Sequence, residues 1–336
     1  MEWKKVIDDV ISDYNLNIIS IEILNNDNDV FKIIDDTGTP YFLKFYGENA
    51  GADFMPNENI YHTYEQIKLE TEILSILADS DLNTAVPIRN KINEYITILN
   101  DNESFSYSVI TSFINAVSME EADTPLKDMA YLAGTTAAQL HIESAEKLHH
   151  IADKRPHKRQ DYMHKMLIRL SNGVILGTIS SAQFDMLNNF GKVIIECMKE
   201  LDEDEQYNVG LVHTDIRSAN CLYLTNKIIP IDFSRSVFSY YLYDLGEMCA
   251  HIGGEDIQKE ILNGYHKVKP FRKRHLFAVQ AFFIMFLMMV MAESIEVKEN
   301  KWRNDLFLRF ENELYPKMMS GKGFFNPAIT YGINEI

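Results

Sequence analysis

The sequence predicts an α+β fold of two lobes, a small β-rich lobe over residues 1–111 and a larger helical lobe over residues 112–336. Three observations carry this expectation. Short β-branched or aromatic runs fill the first third, long helical periodicities fill the remainder, and one short strand pair near 221–231 interrupts those helices. At 336 residues the chain has room for about two units, each able to bury its own core.

In the first lobe, residues 30–34 and 41–46 read as strands. Between them Asp35-Asp36-Thr37-Gly38-Thr39-Pro40 is rich in turn formers, which makes a hairpin. A polar stretch over 47–59 leads into a helix ending near Leu77. Pro87 opens a second strand pair, 95–99 and 107–110, turning at Asp101-Asn102-Glu103. Beyond Phe113 the periodicities at 129–141, 182–201, 256–265 and from Leu276 onward are helical.

A formal net charge of −17 argues against a nucleic-acid partner, because phosphate binding needs a basic footprint. Cys197, Cys221 and Cys249 are odd in number and far apart, which fits a reducing cytosol better than a disulfide framework. Acidic residues stand near the N-terminus where a signal peptide needs an apolar stretch. The apolar run 276–292 contains Gln280 and is shorter than the ~20 residues of a spanning helix, so it reads as a buried core helix. The expectation is a cytoplasmic protein with no membrane partner; its oligomeric state is left open.

The strongest local signal is Leu211-Val212-His213-Thr214-Asp215-Ile216-Arg217-Ser218-Ala219-Asn220, followed by Ile231-Asp232-Phe233. Its His-x-Asp-x-x-x-x-Asn spacing is that of a kinase catalytic loop, with the later Asp in the place of a metal-binding carboxylate. Residues 221–224 and 228–231 can pair around Thr225-Asn226-Lys227, which brings Asn220 and Asp232 to one open end of the hairpin. Two oxygen ligands placed so suit Mg²⁺. Asp215 then lies within reach as the carboxylate that orients an acceptor hydroxyl and takes its proton. His213 reads as a brace for the loop. Arg217 has two readings, a contact to the γ-phosphate or a pairing with a surface carboxylate.

Lys44 interrupts the apolar strand Tyr41-Phe42-Leu43-Lys44-Phe45-Tyr46 and needs solvent or a counter-charge. On the following helix Glu70 falls within the stripe of Ile67, Ile73, Leu74 and Leu77, whereas Glu72 lies toward the polar face. A strand Lys with a helix Glu is the kinase device for holding the α- and β-phosphates.

With these residues the chain resembles the aminoglycoside phosphotransferase and choline kinase-like family of small-molecule kinases, a protein-kinase-like fold. Lys44, the segment 70–77, Ala85-Val86-Pro87, Phe113-Ile114-Asn115-Ala116, Leu140-His141, Asp232-Phe233-Ser234-Arg235-Ser236 and Tyr243-Asp244-Leu245 carry the resemblance. It implies that Asp215 is the catalytic base, that Asn220 and Asp232 bind metal, and that Lys44 binds phosphate. It further implies that the backbone of Ser112 and Ile114 holds the base of ATP (or GTP), and that Asp244 braces the catalytic loop. The chain departs from the family pattern at 24–29, a nucleotide-covering loop without glycine, and at Thr214, where the family usually has Gly.

The expected function is therefore ATP- and Mg²⁺-dependent phosphotransfer to a hydroxyl of a small molecule, an aminoglycoside-type antibiotic or a related metabolite. Two alternatives use the same fold, a bacterial Ser/Thr protein kinase and a nucleotide-binding pseudokinase module. The basic stretch 147–169 and the acidic run 200–205 read as solvated connections, with an anionic or a cationic acceptor as their functional readings. The aromatic run 238–243 divides between pocket lining and core.

Overall fold

The computed structural model describes residues 3–24, 29–47, 60–99, 105–204, 209–321 and 325. They form two compact units. One takes the described residues up to Ala116 together with Phe233–Arg235, and the other takes the rest.

The first unit opens with a helix that the sequence reading did not assign, α1 (Trp3–Ser12), which buries Ile7 and Val10. Trp3 explains its docking, since its ring lies 5.2–5.6 Å from the rings of Phe31, Phe45 and Phe105. The antiparallel sheet has the order β1 (Ile18–Ile23), β2 (Val30–Asp35), β3 (Pro40–Tyr46), β5 (Tyr107–Ser112), β4 (Ile96–Ile98). The expected β2–β3 hairpin is present. The Asp35 carboxylate accepts from the amides of Thr37 and Thr39, and Gly38 supplies the left-handed residue at φ 84°. α2 (Tyr64–Ala78) starts at Thr63, whose hydroxyl caps the amide of Gln66. The turn expected at 101–103, the loop 25–28 and residues 48–59 lie outside the described residues.

The second unit is helical, as its periodicity requires. In chain order it runs β6 (Val117–Ser118), α3 (Leu126–Lys147), α4 (His149–Ala152), β7 (His157–Lys158), α5 (Gln160–Leu176), α6 (Ser181–Asp202), β8 (Val209–Val212), β9 (Cys221–Leu224), β10 (Lys227–Pro230), β11 (Val237–Tyr240), α7 (Tyr241–His251), α8 (Glu255–Val268), α9 (Lys273–Glu293), α10 (Lys301–Arg309) and α11 (Tyr315–Met319). Boundaries with strong local chemistry are sharp. Ser180 and Gln183 form a capping box on α6, and Gly177 ends α5 at φ 69°.

The strand content needs correction. In place of a single strand pair there are two three-stranded sheets, β10-β9-β6 and β7-β11-β8. β6 and β7 are two residues long, too short to show any alternation in sequence. The hairpin turn is tighter than expected: Thr225 and Asn226 alone make it, both with positive φ, and Lys227 already pairs with Leu224.

α9 is long and apolar enough to cross a membrane by composition, yet 78% of that stretch is buried inside the protein. Val279, Phe282, Met285 and Met288 are fully buried among the helices of the second-unit core. α3 and α8 cross very closely. A Cβ on Gly134 would land on the Ile261 carbonyl, and one on Gly264 would land on the Tyr131 carbonyl. Because the obstacle is backbone, the helices themselves would have to separate. Gly264→Ala should therefore cost about 1–3 kcal/mol or more despite its better helix propensity. Denaturant unfolding measures this, and a neutral or stabilising result would contradict the crossing.

Candidate active site

The register of β3 places Leu43 and Phe45 in the core beneath α1, so Lys44 and Tyr46 point to the other face. There the Lys44 ammonium lies 4.9 Å from the centre of the Tyr46 ring. The Tyr46 hydroxyl donates to Glu70 Oε2 at 3.2 Å, and Glu70 is only 3% exposed. Tyr46 thus touches both the lysine and the glutamate singled out in the sequence. Its role went unnoticed because a tyrosine two residues along an apolar strand reads as packing.

Ser112, expected at the nucleotide base, is partly committed within its own unit. Its amide donates to the Val86 carbonyl at 2.8 Å, and its hydroxyl accepts from the Val86 amide at 2.9 Å. Ile114 follows the end of β5, and among the described residues its amide has no hydrogen-bond acceptor.

The catalytic-loop segment lies in the second unit, between β8 and β9. Its anchor is Asp244 on α7, 1% exposed. Asp244 Oδ2 accepts from the His213 amide at 2.9 Å and from His141 Nε2 at 3.0 Å, and Oδ1 accepts from the Thr214 amide at 2.8 Å. His141 Nδ1 in turn meets the Tyr265 hydroxyl at 2.9 Å. These hydrogen bonds hold the Asp244 carboxyl below the usual range against the opposing effect of burial, while burial keeps His141 low and so neutral. Thr214 adopts φ 55°, a costly conformation for a β-branched residue, at the position where the resembling family usually has Gly. The Asp244 hydrogen bond to its amide offsets that strain.

Past this brace, Asn220 Nδ2 donates to Asp215 Oδ2 at 2.7 Å and to the Asp215 carbonyl at 3.0 Å. Arg217 Nε lies 3.2 Å from Asp215 Oδ1 with its side chain half exposed. The partner of Arg217 is thus Asp215 itself and not an unrelated surface carboxylate. The Ile231 amide donates to the Asn220 carbonyl at 3.0 Å, so Asn220 and Asp232 do flank the open end of the β9–β10 hairpin. Asp232 has φ 63°, a left-handed turn that Asp tolerates better than most residues. With its amide nitrogen turned to Asp215, the Asn220 side chain presents its oxygen away from that carboxylate. Together with the Asp232 carboxylate this is an oxygen donor set of the kind Mg²⁺ prefers.

The profile of the phosphotransferase enzyme family (APH) matches residues 21–274, three quarters of the sequence. The chain belongs to this family. It is a phosphotransferase with an alcohol group as acceptor, in the α+β, protein-kinase-like fold. Among solved structures, the microcompartment-associated aminopropanol kinase superposes on this phosphotransferase with a TM-score of 0.70 at 17% identity, covering 95% of this chain and 98% of that one. A choline kinase from Cryptosporidium parvum gives 0.62 at 14% identity, covering 98% and 100%. Spectinomycin phosphotransferase in complex with ADP and spectinomycin gives 0.56 at 17% identity, covering 93% and 94%. No protein of curated function matches the chain by sequence.

The phosphotransferase contains a second group that the sequence reading missed. The side-chain ligand atoms of Asp215, Glu247 and His251 all lie within 4.8 Å of one another. Glu247 is 2% exposed, its Oε1 is 3.7 Å from His251 Nε2, and its Oε2 has no hydrogen-bond partner. Burial raises its pKa from 4.5 to about 7, against the lowering influence of His251 and Lys158. A signal did exist. In Tyr241-Leu242-Tyr243-Asp244-Leu245-Gly246-Glu247-Met248-Cys249, Glu247 is the second acid in an otherwise apolar helix, one turn from Asp244.

Because the folded-state pKa of Glu247 is raised, its stabilising protonated form is complete below the unfolded value of 4.5 and is lost as pH rises through about 7. Glu247→Gln should therefore add up to about 3 kcal/mol above roughly pH 8, with the gain vanishing below about pH 4.5. Unfolding curves across pH check this, and a gain independent of pH would contradict it.

The charged runs are more firmly anchored than solvated connections would be. Arg155 and Lys158 are buried, and Arg169 pairs with Glu296. In the acidic run, Asp202 accepts from Gln160 and Tyr240, and Asp204 pairs with Arg274 and His275. Neither run is a loose solvated connection, because each ties separate helices together. Of the aromatic run, Tyr240, Tyr241 and Tyr243 are core residues, with Tyr240 stacked on Phe282.

Proposed function

We propose that the protein transfers the γ-phosphoryl group of ATP, with Mg²⁺, to a hydroxyl of a small molecule, an aminoglycoside-type antibiotic or a related metabolite. The observation that carries this reading is the Asn220–Asp215 hydrogen bond at 2.7 Å, on a loop whose two preceding amides are pinned by Asp244. It fixes one oxygen of Asp215 and leaves the carboxylate, 16% exposed, in reach of an acceptor. Asp215 takes the hydroxyl proton as the acceptor oxygen bonds to the γ-phosphorus. The bond from that phosphorus to the bridging oxygen breaks, and ADP departs.

In this reading Asn220 and Asp232 hold Mg²⁺, which offsets the charge developing on the phosphate oxygens. Lys44 meets the phosphates, with Tyr46 and Glu70 holding its ammonium in place. The nucleotide base is recognised by the main chain at Ser112 and Ile114, where the Ile114 amide supplies the donor. Arg217 meets the transferring phosphoryl group. Between Asp232 and α7 the chain has only a short turn and β11, which leaves no segment resembling the activation loop of a protein kinase and favours a small acceptor.

The test is ADP release from ATP and Mg²⁺ against aminoglycosides, spectinomycin, choline, amino alcohols, homoserine and sugars, with casein as a protein acceptor. Acceptor-dependent turnover with a small molecule supports the reading. Turnover with casein alone would assign a protein kinase instead.

A further inference from the structure

β1 closes one side of the first unit's sheet and pairs along one edge, with β2. Among the described residues no strand pairs with its other edge, where backbone N–H and C=O groups face outward. Its side chains are not those of a protected edge. Ile19, Ile21 and Ile23 are 69%, 38% and 52% exposed, and Leu24, just beyond the strand, is 39% exposed. Edge strands that avoid pairing carry lysine, proline or several charges, whereas β1 has neither lysine nor proline and one acid, Glu22. The irregularity in its ladder with β2 lies between Ile18 and Ser20, so residues 20–23 run in continuous register. There Ile21 stands opposite Ile33 and Ile23 opposite Phe31, on the face of the sheet that α1 packs against, and Glu22 stands opposite Lys32 on the reverse face.

The order of polarity along the strand selects what covers it. Ile18-Ile19-Ser20-Ile21-Glu22-Ile23-Leu24 has the same pattern in both directions about Ile21, apolar for apolar and polar for polar. We propose that the edge is covered by β1 of a second copy of this chain, running antiparallel across a two-fold axis at Ile21. The two five-stranded sheets then join into one. In this register Ile21 faces Ile21, Ile19 faces Ile23, Ile18 faces Leu24 and Ser20 faces Glu22. A slip of one residue either way sets Glu22 against an isoleucine, and a slip of two sets it against Ile18 or against the other Glu22. Charge is matched as well. Each Glu22 keeps Lys32 as its neighbour on β2 and meets a serine hydroxyl across the axis, so the two acids stay apart. A contact of this kind uses the same patch on both copies, closes after two, and leaves no β1 edge for a third.

The experiment is sedimentation equilibrium of the full chain at concentrations up to about 100 µM, enough to populate an interface at the small end of the stable range. Wild type should reach twice the 38.9 kDa of one chain, and Ile21→Lys should weaken association at least about tenfold. Ile21 lies outside the buried core, so a thermal melt matching wild type shows that Ile21→Lys has folded. Register is read by cysteine cross-linking with copper–phenanthroline as oxidant. Opposed residues of an antiparallel pair have Cα atoms about 4.5–5.5 Å apart, within disulfide range, so Ile21→Cys should give a covalent dimer and Glu22→Cys should not. The native Cys197, Cys221 and Cys249 are buried and stay out of that reaction. A wild type that remains monomeric at the highest concentration overturns the proposal and leaves the edge to a different partner. A dimer that Ile21→Lys does not weaken overturns it too, as does cross-linking through Glu22→Cys in preference to Ile21→Cys.

Discussion

Asp215→Asn lowers kcat by about 10²–10⁴-fold, the range of a general base, while the melting temperature stays within about 2 °C of wild type. The substitution keeps the shape of the side chain and retains an oxygen to accept from Asn220 Nδ2, so the loop loses no buried hydrogen bond. Its Arg217 contact is half exposed and contributes little to stability. What the variant cannot do is take the acceptor proton. Coupled ADP release with the best acceptor reads the rate, and a thermal melt of the same sample reads the fold. Undiminished turnover would remove Asp215 from the chemistry. A collapse of both would mean that the residue is structural.

Asp244→Ala produces the opposite signature, loss of activity through loss of structure. One carboxylate satisfies two backbone amides and a buried imidazole, so its removal strands three donors at once. Breaking a fully buried network of this kind costs about 3–5 kcal/mol, equivalent to roughly 10 °C in melting temperature. It also frees Thr214 to leave its left-handed conformation, after which Asp215 is no longer aimed. Asp244→Asn should do nearly as badly, because its single acceptor oxygen cannot serve both amides and its NH₂ would face one of them. Chemical denaturation with a parallel activity assay separates the two effects. Full stability in Asp244→Ala would refute the brace.

Features set by local chemistry were the legible ones. The β2–β3 hairpin, the long helices, the β9–β10 hairpin and the catalytic loop each rest on a few adjacent residues such as Asp35, Gly38 or Asn226. Strands β6 and β7 were not legible, since two residues carry no periodicity and their pairing depends on chain far away. α1 was overlooked although Trp3, Ile7 and Val10 recur at helical spacing. At the site, the local pattern marked Asp215, Asn220 and Asp232. Glu247 was hidden because its meaning lies in an unpartnered oxygen and in the nearness of Asp215, 32 positions earlier. Tyr46 was hidden for a related reason: only the paired sheet reveals which face it shares with Lys44.

The brace on the catalytic loop also sets an order of assembly. His141 lies 103 positions from Asp244 and 124 from Tyr265, and the three form one buried line of hydrogen bonds behind the His213 and Thr214 amides that Asp244 holds. A nascent chain released as far as Asp232 carries the loop, its oxygen donors and His141, but lacks Asp244, the carboxylate that holds the His213 and Thr214 amides. The loop is therefore held only once α7, which carries Asp244, has followed it out of the ribosome and met His141 on α3. A product that ends before Asp244 would display every residue of the loop and leave its amides unheld.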